Sequence, residues 1–133
     1  MTITETPTPT LSGAKLKVTL GALGVPPSYF AAANNVAMRT VVRWFDADIV
    51  PESAAAKLDE LVELTREEEE RMIRAANDDL AIRGDGCTML RTYRIDKEFN
   101  HSDGLPAEWH RQLTLRVMRH LQEKGQEVKV EYV

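Results

Sequence analysis

The stretch PSYFAAANNVAMRTVVRWFD, residues 27–46, constrains the fold more than any other part of the chain. Its spacing is that of a helix-turn-helix, in which a short scaffold helix and a tight turn deliver a second helix into the major groove of DNA. Phe30 and Ala31 face inward from the first helix, while Val36, Val41 and Trp44 supply the inward positions of the turn and the second helix. Ala31 suits the point where two steeply crossed helices come closest, because its side chain is small. Asn35 suits the turn, because Asn tolerates a positive φ better than most residues other than Gly. The positions left pointing outward are Ala37, Met38, Arg39, Val42 and Arg43.

The flanking residues fit a helical bundle. Ser12 is placed to cap a first helix that carries Leu16, Leu20 and Leu23 on one face and stops at Gly24. Val25 then enters the core, and Pro27 opens the scaffold helix, where a missing N–H costs no hydrogen bond. The second helix is expected over residues 37–45. Beyond Val50 and Pro51, a helix capped around Glu52 and Ser53 carries Leu58, Leu61, Val62 and Leu64. After Thr65 a further helix is expected over residues 66–82, with Glu67/Arg71 and Glu70/Arg74 as i,i+4 pairs and Met72, Ile73, Ala76 and Leu80 as its apolar side. Gly84, Asp85 and Gly86 end it.

From residue 87 to residue 95 the pattern alternates with the period of a strand. A polar turn at 100–104 precedes a helix that starts at Pro106, carries Trp109, Leu113, Leu115, Val117, Met118 and Leu121, and closes at Gly125. Val128, Val130 and Tyr132 form a second strand, which a helical crossover makes parallel to the first. Two strands alone are marginal, so a second copy is expected to complete the unit. Leu90, Tyr93, Trp109, Leu113, Val117 and Val130 are the expected dimer interface. The chain therefore divides into a tail (1–10), a helical DNA-binding part (11–82) and a strand-helix-strand dimerisation module (87–133), the last separable from a helix-turn-helix that folds without it.

Charge sharpens this reading. The chain of 133 residues has a formal net charge of -4, yet residues 6–45 contain Lys15, Lys17, Arg39 and Arg43 and no acid. Residues 46–85 hold thirteen acids against five bases, including Glu67, Glu68, Glu69 and Glu70 in a row. The DNA-facing part is thus locally basic, with Lys15 and Lys17 as auxiliary phosphate contacts. No apolar run reaches the roughly 18 residues that span a bilayer, and residues 1–10 lack the pattern of a signal peptide, so a cytoplasmic protein without a membrane role is expected. The single cysteine, Cys87, has no second cysteine for an intramolecular disulfide and reads as a reduced thiol.

The order of these elements resembles known regulators. A Trp near the end of the second helix (TVVRWFDADIVP), an acidic helical stretch, a strand with Tyr (MLRTYRI) and a helix opened by Trp (LPAEWHRQL) make the chain similar to the YdiL-like regulators. It is equally similar to the anti-CRISPR-associated (Aca-type) autorepressors of phages and mobile elements, over residues 11–125. The resemblance implies a mainly α protein, an Xre/Cro-like helix-turn-helix bundle with a small C-terminal α/β dimerisation module. It also implies a homodimeric repressor of an inverted-repeat operator, with Ala37, Met38, Arg39, Val42 and Arg43 reading double-stranded DNA.

Other readings compete with it. His101, Asp103, Glu108 and His110 contain the residue types of a zinc site, although Glu108 and His110 point about 200° apart on a helix. Trp44 has the chemistry of a stacking platform for single-stranded nucleic acid, but occupies a core position. An antitoxin-like regulator, whose acidic helices or C-terminal part bind a protein partner, keeps the fold and changes the task. No phosphate loop, nucleophile elbow or cofactor motif appears, so neither catalysis nor a cofactor is expected.

Overall fold

The computed structural model describes residues 10–84 and 86–133. Residues 1–9 of the expected tail, and Asp85 of the expected glycine stop, lie outside the described residues. Those described form α1 (Gly13–Leu23), α2 (Pro27–Ala33), α3 (Met38–Phe45), α4 (Glu52–Arg83), β1 (Cys87–Thr92), α5 (Asp96–Phe99), α6 (Ala107–Glu123) and β2 (Glu127–Tyr132). The protein is mainly helical, with β1 and β2 paired in parallel so that Leu90 faces Val130 and Thr92 faces Tyr132.

Local chemistry sets the first three helices. Ser12 Oγ accepts the Lys15 N–H at 3.1 Å and caps α1. Gly24 ends α1 at φ 72°, and the Val25 N–H turns back to the Leu20 carbonyl at 3.0 Å, which places Val25 in the core. The turn from α2 to α3 uses two asparagines. Asn34 Nδ2 donates to the Phe30 carbonyl at 2.8 Å, and Asn35 adopts φ 55°.

One continuous helix, α4, replaces the two expected on either side of Thr65. Its 32 residues span about 48 Å. Thr65 lies inside it with its hydroxyl donating to the Leu61 carbonyl at 2.7 Å, one turn back in the same helix. The same oxygen accepts the Trp109 Nε1–H at 2.9 Å, so a buried hydroxyl and a buried indole satisfy each other. Neither Glu52 nor Ser53 caps α4; Pro51 is its cap residue and gives no side-chain bond. Val62 falls off the buried stripe and is exposed. Arg66 pairs with Glu63 and Glu70, and Arg71 with Glu68, in place of the pairs expected from spacing.

Two apolar clusters lie along α4. The larger gathers Leu16, Leu20, Phe30, Val41, Ala54, Leu58 and Leu61 together with Leu105, Trp109 and Leu113. The smaller joins Ala76, Leu90, Val117 and Leu121. Helix α6 therefore runs through both, and the expected boundary between residues 82 and 87 does not divide the packing. Cutting there would remove Trp109 and Leu113 from the core of the N-terminal helices, so the C-terminal part is not a separable appendage. The same burial corrects the expected dimer interface: Leu90, Trp109, Leu113 and Val117 are buried within the single chain. Of that set, only the partly buried Tyr93 and the exposed Val130 reach the surface.

Strand β1 stops at Thr92, three residues short of the expected end. Just beyond it, Arg111 Nη1 donates to the Tyr93 and Arg94 carbonyls at 2.7 and 2.8 Å and holds this segment against α6. Residues 96–99 then form α5, a single turn absent from the pattern reading. Its Asp96 Oδ1 accepts the Ala107 N–H at 2.8 Å, so α6 is capped from eleven residues upstream, with Pro106 as its cap residue and not its first helical one.

Thr65→Val keeps the shape of the side chain but leaves the Trp109 N–H without an acceptor. It is expected to lower unfolding free energy by about 1–3 kcal/mol, and Trp109→Ala by about 3–5 kcal/mol, in denaturant titrations. A Thr65→Val protein with the parent's midpoint would show that this hydroxyl adds nothing.

Candidate nucleic-acid interface

Helix α3 is sharply two-sided. Val41 is completely buried, and Trp44 stands edge-on to Phe30 with ring centroids 6.3 Å apart. On the other side, Met38 is 55% and Val42 46% exposed, and Ala37, Arg39 and Arg43 are exposed beside them. The five residues expected to face outward thus share one surface. Ala37 is the cap residue and no side chain bonds the first-turn N–H groups, so the positive end of the helix is open to solvent.

The cations here are not neutralised internally. Among the described residues, none of Lys15, Lys17, Arg39 and Arg43 forms an ion pair. Lys17 Nζ lies 5.9 Å from the centre of the Phe45 ring and so joins the surface at the far end of α3. Lys15 does not. Two residues along a helix are about 200° of rotation, and Lys15 instead lines a groove between α1 and α4 that also holds Asp59. The structure leaves it out of the α3 surface.

What holds α3 in place was missed in the pattern. Gly13 lies where the start of α1 crosses the end of α3, and a Cβ there would be 2.0 Å from the Trp44 carbonyl oxygen and 2.5 Å from that of Phe45. The Gly13 N–H bonds the Ala47 carbonyl and the Val50 N–H bonds the Leu11 carbonyl, both at 2.9 Å, tying the segment after α3 to the front of α1. The only sequence signal was a glycine in a first helical turn, where alanine is the better helix former. Gly13→Ala is therefore expected to destabilise the protein by about 1–3 kcal/mol in thermal or chemical melts, against its helix propensity, because backbone must move. A stabilised variant would show that α1 and α3 can separate freely.

The four residues of the zinc reading are not gathered. Glu108 is held by Arg111 at 2.7 Å and by Gln112 at 3.0 Å, and the Gln112 bond, followed by Arg111, keeps its carboxyl below the usual range. His101 Nδ1 accepts the Asp103 N–H at 3.0 Å. His110 Nδ1 lies 2.8 Å from Thr92 Oγ1, in a nest of Tyr93, Phe99 and Trp109 rings. Among the described residues no group of three or more His, Cys, Asp or Glu is placed to hold a metal.

Burial, and then the neighbouring His101, push the His110 pKa down from 6.5 to about 4. Between those values the unfolded chain takes a proton that the folded chain refuses. Stability from this site is thus complete above 6.5 and is lost as pH falls towards 4. The parent is expected to lose more stability than His110→Gln when melts are compared between about pH 7 and 5. Equal losses would exclude His110 as the source.

No protein-family model and no curated protein matches the chain.

Proposed function

We propose that the protein is a sequence-specific, double-stranded DNA-binding transcriptional repressor. In this reading α2 and α3 are the two helices of a helix-turn-helix, and two copies bind an inverted repeat, as the resemblance to YdiL-like and anti-CRISPR-associated autorepressors implies. The observation that carries it is the face of α3, where Met38, Arg39, Val42 and Arg43 are exposed together and both cations lack an internal partner. Arg39, one residue into the helix, suits a bidentate bond to a guanine edge. Met38 and Val42 suit thymine methyl groups, and Arg43 and Lys17 suit phosphates farther along the groove. Exposed apolar side chains between cations favour base edges over a purely phosphate-binding surface.

Protection mapping on the DNA upstream of the protein's own gene supplies the operator on which the reading is tested. Arg39→Ala is expected to keep the parent's melting temperature, to weaken operator binding by about 1–3 kcal/mol and to relax selectivity at one base position per half-site. Operator affinity is expected to fall with salt at a log-log slope of roughly -4, from the two phosphate-contacting cations, Lys17 and Arg43, on each of two copies. A flat salt response with unchanged Arg39→Ala binding would favour the antitoxin-like reading, in which a protein is the main partner.

A further inference from the structure

We propose that β2 pairs antiparallel with β2 of a second copy about a two-fold axis at Val130, making one four-stranded sheet. This specifies the partner surface behind the two-copy part of the reading above, but its support is independent of DNA. Among the described residues, nothing pairs with the outer edge of β2. The Glu127 and Val133 N–H groups bond the β1 side, at the Gly86 and Thr92 carbonyls. Because successive residues of a strand direct their backbone groups to opposite edges, those of Val128, Val130 and Tyr132 point outward, ready for a ladder. Val130 is 44% and Tyr132 50% exposed, although both lie on the sheet face that packs against α6. Beside them, Leu115 and Met118 of α6 line the same open groove.

Charge selects the register. With both copies facing the same way, the outward-pointing groups admit two-fold axes at residue 129, 130 or 131. An axis at Lys129 sets Lys129 against its own copy and Glu127 against Glu131; an axis at Glu131 sets Glu131 against itself. Only the axis at Val130 places Lys129 opposite Glu131 twice and Val128 opposite Tyr132 twice. Glu131 already accepts Arg91 Nε at 3.0 Å across the β1–β2 pair, so the ladder extends to Arg91, Glu131 and the second copy's Lys129. On the other face, Leu90 and Val130 continue into the same two residues of the second copy as an unbroken apolar row. A two-stranded sheet of marginal stability becomes four strands with helices on one face.

Sedimentation of the full chain without DNA tests this apart from the DNA reading. The parent is expected to be a dimer at tens of micromolar. Val130→Pro removes an outward N–H that β1 does not use, and should give a folded monomer by circular dichroism. Lys129→Glu alone and Glu131→Lys alone should each weaken the dimer by about ten-fold, while an equal mixture of the two should form a heterodimer in which every facing pair is opposite in charge. A monomeric parent overturns the proposal and leaves the edge to a strand from a different protein. A parent dimer indifferent to Val130→Pro and to both charge reversals overturns it as well, by placing the interface elsewhere.

Discussion

The indole of Trp109, 1% exposed, is the interaction on which the remainder of the structure depends. It comes from the helix between the strands yet sits in the cluster built by the N-terminal helices, and its N–H is spoken for by a threonine in the middle of α4. A buried indole donor without an acceptor costs about as much as several exposed contacts contribute, so Thr65 is as much a part of the site as the ring. This one contact joins α6 to the middle of α4 and helps merge what composition presents as two regions into one packed body.

Features controlled by neighbours in sequence were legible. Ser12, Gly24, Pro27 and Asn35 each act through bonds or dihedral limits within about four residues, and each is where local chemistry places it. So is the outward face of α3, because a helical period sorts Val41 from Met38 and Val42 without knowledge of the remaining chain. The features that failed are long-range. Thr65 reads as a weak helix former until Trp109 arrives from 44 residues away. The amphipathic face of α6 reads as a dimer surface because pattern shows which side is apolar, not which partner covers it. Lys15 and Lys17 read as one basic pair until the helix rotates them to different neighbours.

An acidic protein can carry a cation-rich face because its carboxylates are kept elsewhere. Along α4, Glu63, Glu68 and Glu70 pair with Arg66 and Arg71, and Glu69 reaches Arg116 of α6 at 3.4 Å. These are largely exposed pairs that add little stability individually. Their consequence lies in where charge ends up. Arg66 and Arg71 of the acidic segment are committed to its own carboxylates, while Arg39 and Arg43 of α3 face solvent. The run from Glu67 to Glu70 begins about 22 Å along α4 from its first residue, Glu52.

The same long helix bears on how two distant surfaces can act together. The β2 edge and the α3 face belong to opposite ends of the pair formed by α4 and α6: Val117, Leu121 and Ala76 hold the sheet, whereas Leu58, Leu61 and Trp109 hold the helices around α3. Arg116 adds a cross-brace, with its guanidinium shared between Glu69 of α4 and the Ala22 carbonyl at the end of α1. A hinge between the ends would have to open one of these packed contacts, and α4 has no glycine or proline among its 32 residues to absorb a bend. Any pairing made at β2 would therefore set the separation and tilt of the two α3 helices as a rigid lever does, through the packing along α4 and α6 and not through a linker.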